Sequence, residues 1–192
     1  MKIILATHND KKLEEIRFLF VDTDIEFTSL KELGFNEEIE ENGKTFKENA
    51  YIKASYIHNL YKLPVISDDS GLEVHALNNE PGIYSARYAN GNYDLAMEKI
   101  IKRLENKDDR TADFNCSICY IDEEDNVYYF ERKCFGEIGY EKAEGRAFGY
   151  DPIFYYQGKS FATLSLSEKN KISHRGLAFK DFYDFIIKKY KK

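Results

Sequence analysis

The motif Ser67-Asp68-Asp69-Ser70-Gly71 places two carboxylates side by side, directly after a short apolar run. Like charges repel in a low-dielectric interior, so such a pair requires a cation, a proton or water close by. The pair could form a Mg²⁺ site, because Mg²⁺ prefers carboxylate oxygens and bridges to substrate phosphates, or it could include a general base beside that metal. The alternative is a turn at the end of a strand, where aspartate is common.

The motif Thr7-x-Asn9-x-x-Lys12 lies where a predicted strand over residues 2–6 turns into a predicted helix over residues 10–21. At such a junction the free backbone N–H groups and the positive end of the helix form an anion site. Lys12 adds a charge that can reach a phosphate from the first turn. The alternative is that Asn9 or Asp10 caps the helix and the lysine is solvated, and the spacing does not separate the two.

Glu41, Thr45, Asn49 and Lys53 are spaced by four residues, and a helix is predicted over residues 45–61. This spacing places the helical members on one stripe, with Glu41 just before the helix. A carboxylate at one end and a lysine further along could hold a metal and a phosphate. An ordinary solvent-exposed helix face is the alternative, and the spacing alone favours it.

Two further segments carry groups that can bind a planar ring. The motif Phe148-Gly149-Tyr150-Asp151-Pro152 offers two aromatic rings and a carboxylate, which can stack on a base and contact its edge. His174 and Arg175, next to Ser173 at the predicted start of a final helix, could donate to a base carbonyl. The alternatives are a turn held by local aromatic packing and a surface His-Arg pair. Together with the phosphate motifs, these segments indicate hydrolysis of a nucleotide.

The composition argues against several other classes of protein. The 192 residues carry a formal charge of −6 with a pI of about 5.4, so we do not expect a protein that wraps nucleic acid. No apolar stretch approaches the roughly 20 residues that cross a bilayer, and the motif Met1-Lys2-Ile3 enters a strand without room for a signal peptide. The three cysteines, including the C-x-x-C of Cys116 and Cys119, are expected to be buried thiols of a cytoplasmic protein.

The order of the predicted elements indicates a mixed α/β fold. Strands and helices alternate at first, and two strongly β runs, Thr111–Ile121 and residues 127–136, then form a hairpin around an acidic loop. A strand that begins at Pro64 is expected to end at the Asp68-Asp69 pair. The length and the lack of a clear linker predict a single domain over residues 1–192.

The motifs stand in the order of a known family. Over nearly its whole length the chain resembles the inosine triphosphatase-like enzymes (XTP/dITP diphosphatases), which are pyrophosphatases of deaminated purine nucleoside triphosphates. The segments that carry the resemblance are Leu5-Ala6-Thr7-His8-Asn9-Asp10-Lys11-Lys12, Glu41-Asn42-Gly43-Lys44-Thr45-Phe46, Glu48-Asn49-Ala50, Ser67-Asp68-Asp69-Ser70-Gly71-Leu72, Pro81-Gly82-Ile83-Tyr84-Ser85-Ala86-Arg87-Tyr88, Phe148-Gly149-Tyr150-Asp151-Pro152-Ile153-Phe154, Glu168-Lys169 and Ser173-His174-Arg175-Gly176. The resemblance implies an elongated mixed β-sheet flanked by helices, two lobes with a central active-site cleft, and a homodimer.

The resemblance also implies roles for individual residues. The implied substrate-binding residues are Thr7, His8, Asn9, Asp10, Lys11, Lys12 and Lys53 for the triphosphate, Ser70, and Phe148, Gly149, Tyr150, Asp151, Lys169, His174 and Arg175 for the nucleoside. The implied ligands of Mg²⁺ are Glu41 (with Glu40 as the alternative), Asp68 and Asp69, and Asp69 is also the implied general base. His8 departs from the pattern, since many relatives carry a small residue such as Gly or Asn there.

The activity that the resemblance implies is hydrolysis at the α-phosphorus of inosine, deoxyinosine and xanthosine triphosphates, which yields the monophosphate and pyrophosphate. Such an activity removes deaminated purines from the nucleotide pool. One alternative is a Maf-like pyrophosphatase that acts on other modified nucleotides, although its opening motif favours Ser and Arg where this chain has Thr7, Asn9 and Lys12. The other is a non-catalytic nucleotide-binding regulator, which would not need the paired carboxylates.

Overall fold

The computed structural model describes residues 1–190 of the chain. The helices in this part of the chain are α1 (Asp10–Leu19), α2 (Phe46–Tyr61), α3 (Tyr93–Arg103), α4 (Leu166–Ile172) and α5 (His174–Tyr190). The strands are β1 (Lys2–Leu5), β2 (Glu26–Ser29), β3 (Val65–Val74), β4 (Glu80–Pro81), β5 (Thr111–Ile121), β6 (Val127–Ile138), β7 (Phe154–Tyr156) and β8 (Lys159–Ser160). None of the helices over residues 1–190 is long and apolar enough to cross a membrane.

The strands form one sheet in the order β2-β1-β3-β5-β6-β7-β8, with β4 paired to β3. Strand β1 is parallel to both β2 and β3, with Ile4 opposite Val65, whereas β4 is antiparallel to β3 and β7 is antiparallel to both β6 and β8. Parallel neighbours need long crossover connections, and these are the segments that contain α1 and α2. The mixed α/β fold predicted from the sequence is confirmed.

The chain divides into two compact units, each formed from separate stretches of sequence. Unit 1 comprises Met1–Asp69, Cys116–Arg132 and Arg175–Lys192, of which the last two residues lie outside the described part. Unit 2 comprises Ser70–Asn115 and Lys133–His174. Each unit has an apolar core of its own, which is the physical requirement for a compact body.

One core of unit 1 is rich in aromatic side chains, which come from the end of α1 and from β2, β5 and α5. Its largest members are the buried rings of Phe20, Phe27, Tyr120, Phe179 and Phe182. Phe20 meets Phe27 edge-to-face with ring centroids 4.9 Å apart, which is a favourable geometry for two aromatic rings. This packing fixes α1, and therefore the residues of the phosphate motif that begin it.

Helix α2 forms a second core of unit 1. Ala50, Ala54 and Ile57 recur with the spacing of one helix face, and all three are fully buried. Thr45 caps the helix, because its hydroxyl accepts from the backbone N–H of Glu48 at 3.1 Å. The start of α2 is therefore fixed where the sequence predicted it, which sets the direction of the side chains on its other faces.

The core of unit 2 joins β3, α3, β5 and β7. Leu72, Met97 and Phe114 belong to it, and the Phe114 ring lies 4.5 Å from the ring of Phe154. Helix α3 begins where Asn92 caps it by accepting from the backbone N–H of Leu95. This core supports the turn from β6 to β7 that carries the predicted base-binding motif.

The prediction that the third strand ends at the aspartate pair is wrong. Strand β3 continues from Val65 through Asp68 and Asp69 to Val74. The prediction placed the pair at the end of the strand, where two adjacent carboxylates are less costly than in the interior. They are tolerated because lysine side chains of unit 1 reach both of them, as the geometry of the site shows.

A short helix, α4, was missing from the predicted elements although its start has a clear sequence pattern. Ser165 accepts from the backbone N–H of Glu168, and the Glu168 side chain accepts in return from the backbone N–H of Ser165. This reciprocal arrangement is the capping box that S-x-x-E predicts. The pattern was present in the sequence, and the helix was missed because α4 is only seven residues long.

The expectation of buried thiols is confirmed for the C-x-x-C. Cys116 packs in the aromatic core of unit 1 and Cys119 in the core around α2, which places the two thiols in separate clusters. Residues three apart in a strand point to opposite faces, so this is the expected outcome. Burial raises the pKa of the Cys119 thiol to about 12, which makes it unreactive.

Candidate active site

Two lysines of unit 1 converge on Asp68. The Lys12 ammonium, in the first turn of α1, lies 2.8 Å from Asp68 Oδ2, and Lys53 Nζ donates to the Asp68 backbone carbonyl at 2.7 Å. Lys12 reaches inward because Asn9 caps α1 by accepting from the backbone N–H groups of Lys11 and Lys12. The resemblance implied that both lysines bind the triphosphate, and the structure places both at Asp68.

Arg175, at the start of α5, is buried among carboxylates of unit 1. Its Nη1 donates to Glu15 Oε2 at 2.6 Å, and its Nε lies 3.5 Å from Asp68 Oδ2. Both Arg175 and Glu15 are at least 95 % buried, so this ion pair is well shielded from solvent. Sequence reasoning placed Arg175 at the nucleoside and missed Glu15, whose position three residues after Lys12 on α1 was the available signal.

The environment of Asp68 strongly favours the ionised carboxylate. Burial opposes ionisation, but the positive charges of Lys12, Arg175 and Lys53 outweigh it and hold the pKa of Asp68 well below its usual range. Asp68 Oδ2 forms the ion pair with Lys12, whereas Asp68 Oδ1 is buried and has no hydrogen-bond partner among residues 1–190. A buried carboxylate oxygen of this kind has the capacity to accept a further ligand.

Asp69, the neighbouring residue, has the opposite character. Burial raises the pKa of its carboxyl to about 6, with a further rise from Glu41 and an opposing effect from Lys53, Lys12 and Asn49. Lys53 Nζ lies 4.0 Å from Asp69 Oδ1 and 3.5 Å from Glu41 Oε1. Adjacent carboxyl groups with separated pKa values can serve different roles, one as a fixed charge and the other in proton transfer.

The oxygen donors in this cluster suit a hard divalent cation. Asp68 Oδ1 is available as described above, and the Asp69 and Glu41 carboxyls lie around the same lysine, Lys53. Glu40 is exposed, whereas Glu41 is half-buried and paired, so the structure favours Glu41 of the two predicted ligands. Within residues 1–190, no three His, Cys, Asp or Glu side chains are already gathered as a metal cage.

The other residues of the opening motif lie around the start of α1. Thr7 Oγ1 accepts from the backbone N–H of Asn9 at 3.1 Å, which shapes the turn from β1 into the helix. His8 is exposed, stacks on the Phe35 ring and is hydrogen-bonded through Nε2 to the Glu37 carbonyl at 2.9 Å. The remaining predicted members, Asp10 and Lys11, are exposed on the first turn.

In unit 2 the predicted nucleoside residues form a second cluster. The Lys169 ammonium lies 2.6 Å from Asp151 Oδ2 and 4.7 Å from the centroid of the Phe148 ring. Both Lys169 and Asp151 are buried, so the pair is rigidly held. The structure therefore brings together an aromatic face, a cation and a carboxylate, which is the combination needed to stack on a ring and hydrogen-bond to its edge.

The remaining predicted residues of unit 2 have different surroundings. The His174 ring is buried and stacks on Phe114 with centroids 4.6 Å apart. Tyr150 is a core residue whose hydroxyl donates to the Ser85 carbonyl at 2.7 Å. Gly149 has a φ of +54°, a left-handed conformation that glycine adopts without strain, and Ser70 is half-buried in β3.

A buried lysine–carboxylate cluster of this kind, in an α/β protein, is typical of enzymes that act on anionic substrates by acid–base chemistry. The chain belongs to the Ham1 family, whose model matches residues 3–185. The family resemblance stated from the motifs is thereby confirmed.

Individual relatives match over almost the full chain. A protein named dITP/XTP pyrophosphatase from Christiangramia forsetii is 46% identical over 98% of this chain and 100% of its own length. A protein of the same name from Desulfotalea psychrophila is 46% identical over 92% of this chain and 81% of its own length. The solved structure of the Ham1 protein of Staphylococcus aureus, 38% identical, superposes with a TM-score of 0.88 over 98% of this chain and 100% of its own length.

Proposed function

We propose that this protein hydrolyses the triphosphates of deaminated purines, namely inosine, deoxyinosine and xanthosine triphosphates, to the monophosphate and pyrophosphate. The observation that carries the proposal is the Asp68-Asp69 pair, which combines one stable anion with one titrating carboxyl beside two lysines. The names of the full-length relatives, dITP/XTP pyrophosphatase, support the choice of substrate.

Lys12 and Lys53 have the proposed role of binding the triphosphate, together with the turn over residues 7–12. Both ammonium groups now contact protein carboxyl or carbonyl oxygens, so phosphate oxygens would exchange for contacts of the same kind. The lysines would also stabilise the charge that develops on the phosphates during hydrolysis, which is the main source of catalysis in phosphoryl transfer.

Asp69 has the proposed role of general base. A carboxyl with a pKa of about 6 is largely ionised above neutral pH and can still accept a proton from an attacking water. Asp68 remains charged throughout, because the surrounding cations stabilise its anionic form. Asp68, Asp69 and Glu41 would hold Mg²⁺, which when bound supplies charge neutralisation for the phosphates.

The cluster in unit 2 has the proposed role of binding the nucleoside. Phe148 offers a face for stacking, and the charged Lys169–Asp151 pair offers a donor and an acceptor for the edge of the base. His174 can donate to the C6 carbonyl of hypoxanthine or xanthine. The same role for Arg175 is a separate proposal that rests on the resemblance, since its guanidinium contacts Glu15 and Asp68 in unit 1. Adenine has an amine at this position, so a site of donors leaves groups unpaired, and each costs about 1–3 kcal/mol.

We also propose that the protein forms a homodimer and acts in the cytoplasm. Several large apolar side chains are well exposed, among them Tyr84, Phe135 and Tyr140, as expected for a surface that a partner covers. Tyr88 and Tyr93, by contrast, are half-buried and pack against the core of unit 2, so they are not part of this exposed set. The described cysteines are buried free thiols, in keeping with a reducing compartment.

The proposed function is tested with a panel of nucleoside triphosphates and separate detection of pyrophosphate and orthophosphate. The expected result is one pyrophosphate and one monophosphate per deoxyinosine or xanthosine triphosphate, with much slower turnover of adenosine triphosphate. Direct release of orthophosphate would refute cleavage at the α-phosphorus. A preference for modified pyrimidines would support the Maf-like alternative, and tight binding without turnover would support the regulator.

A further inference from the structure

Asn49, in the first turn of α2, is a fully buried amide whose orientation is fixed by a backbone group. The Gly43 N–H donates to Asn49 Oδ1 at 2.8 Å. A backbone N–H can only donate, so the oxygen of the amide must face Gly43 and the Nδ2 group must point the other way. The two ends of this side chain therefore have separate and known directions.

The Nδ2 end of Asn49 faces the carboxyl of Asp69. The interaction favours the ionised carboxylate, as expected for an N–H donor directed at an acidic oxygen. The Nδ2 group is buried and does not reach direct hydrogen-bond geometry with any group of the described residues. A single amide thus lies between the backbone at Gly43 and the proposed general base.

The contact at Gly43 leaves no room for a side chain. A Cβ atom built on Gly43 would lie 2.6 Å from Asn49 Oδ1 and 3.0 Å from the Asn49 backbone nitrogen. Gly43 does not have a positive φ, so its requirement is close approach to the helix and not an unusual backbone conformation. Gly43 and Asn49 therefore form one close packing contact, and a larger residue at position 43 would disrupt it.

This contact between Gly43 and Asn49 is important because the segment before α2 has no regular structure of its own. Residues 39–43 form neither helix nor strand, and Glu41 in this segment pairs with Lys53 at 3.5 Å. The segment is attached to α2 by the Gly43–Asn49 hydrogen bond and by the neighbouring bond from the Lys44 N–H to Glu48 Oε2 at 2.6 Å. Loss of the first bond is expected to change where Glu41 lies relative to Asp69.

We propose that Asn49 is a positioning residue: its Oδ1 fixes Gly43 and hence the Glu41 segment, and its Nδ2 places a donor beside the carboxyl of Asp69. Asn49 does not itself contact the substrate. The inference rests on the proposed function, because it concerns the two acids to which hydrolysis is assigned there.

The two ends of the amide are tested separately with two variants. Asn49→Asp keeps an oxygen opposite Gly43 but replaces the donor that faces Asp69 with a second negative charge. Asn49→Ala removes both contacts. Asn59→Ala is the matched control, because Asn59 is an exposed asparagine on the same helix whose side chain contacts only Lys62 among the hydrogen bonds described.

The first measurement is amide hydrogen exchange at Gly43, which does not depend on activity. We expect protection of the Gly43 N–H to fall at least about tenfold in Asn49→Ala and to be retained in Asn49→Asp and Asn59→Ala. Unchanged protection in Asn49→Ala, in a protein with wild-type circular dichroism, would overturn the assignment of Oδ1. This result stands whether or not the wild type hydrolyses deoxyinosine triphosphate.

The second measurement is steady-state hydrolysis of deoxyinosine triphosphate with Mg²⁺ present. We expect kcat to fall about 10-fold to 10²-fold in both Asn49 variants with KM changed less than about threefold, because misplacement of catalytic groups affects the transition state more than binding. Asn59→Ala should match the wild type. An active wild type with undiminished kcat in Asn49→Asp would overturn the role of Nδ2, whereas an inactive wild type would refute the proposed function instead.

A double variant distinguishes positioning from general damage. Gly43→Ala and Asn49→Ala both disrupt the contact between Gly43 and Asn49, although the new Cβ of Gly43→Ala would also lie 2.8 Å from the Glu48 Cβ. The loss of kcat in the double variant should therefore be smaller than the product of the two single losses. A kcat loss in the double variant equal to the product of the two single losses would mean that the two residues act independently. The proposed packing contact between Gly43 and Asn49 would then be refuted. Thermal unfolding of all variants identifies any loss that reflects stability alone.

Discussion

Replacement of Arg175 by methionine removes a buried positive charge that faces two acids. In the native protein the guanidinium contacts Glu15 at 2.6 Å and Asp68 at 3.5 Å, and all three side chains are at least 95 % buried. Removing one partner of a buried ion pair costs about 3–5 kcal/mol, because the charge that remains is uncompensated. For a chain of this size, 1 kcal/mol corresponds to about 2–4 °C in Tm, so the expected decrease is about 6–20 °C.

The assay is thermal unfolding at neutral pH, and Arg132→Met is the matched control. Arg132 also pairs with an aspartate of unit 1, Asp181, with 2.5 Å between Nε and Oδ2, but about half of its side chain is exposed. Exposed pairs contribute about 0–1 kcal/mol, so this variant should lose at most about 4 °C. Adding Glu15→Gln to Arg175→Met should recover part of the loss, because it removes one of the two negative charges that face the missing guanidinium.

The pH dependence gives a second check on the same reasoning. The pKa of Asp68 is held below its unfolded value, so its contribution to stability is present above pH 4 and is lost only as pH falls through the folded pKa. In Arg175→Met the pKa of Asp68 should rise toward its usual range, so the deficit should shrink as the pH is lowered. Equal Tm losses for Arg175→Met and Arg132→Met would refute the assignment of a buried charge network.

Four further outcomes are expected. Asp69→Asn should fold normally but lose turnover by about 10²-fold or more, because an amide cannot accept the proton. A near-normal kcat would mean that another group is the general base. Arg175→Met should narrow the kcat/KM ratio between inosine and adenosine triphosphates, and an unchanged ratio would assign Arg175 to folding alone. A chelator should abolish pyrophosphate release and added Mg²⁺ should restore it; activity that persists in the chelator would exclude a metal requirement. Burial opposes ionisation of Asp122, but Lys189 and turn N–H groups outweigh it and lower the pKa of its carboxyl to about 2. Asp122 should therefore stabilise the fold above pH 4, and this stabilisation should disappear toward pH 2. In unfolding experiments, Asp122→Asn should make the decline of stability between these pH values less steep.

The local parts of the fold could be predicted because their causes are local. Thr45 and Asn9 cap helices where the sequence places them, and the hairpin strand Thr111–Ile121 has the bounds that its β-rich run indicates. The capping-box helix at Ser165 belonged to the same category and was missed only for its shortness. Caps and β-branched runs act over a few residues, so a single sequence contains the necessary information.

The charge network could not be predicted in the same way. Lys12 and Asp68 are 56 positions apart, and Glu15 and Arg175 are 160 apart, so only the packed chain brings them together. The same fact explains the error about β3, because a strand passes through two aspartates only when distant cations neutralise them. The motif resemblance identified most of the participating residues but gave no reason to include Glu15. Asn49 stood in the helical stripe and in the Glu48-Asn49-Ala50 segment, but without a role of its own.

The network of buried charges limits which amino-acid substitutions this protein can accept during evolution. Glu15 and Asp68 face Lys12 and Arg175 across short buried distances, so one substitution leaves an unmatched charge as well as a missing group. A scan of single replacements would therefore mix loss of chemistry with loss of folded protein at these positions. During evolution, an acid and its basic neighbour are therefore expected to be replaced together and not one at a time. Libraries that vary both residues of such a pair should yield folded variants that libraries of single substitutions do not contain.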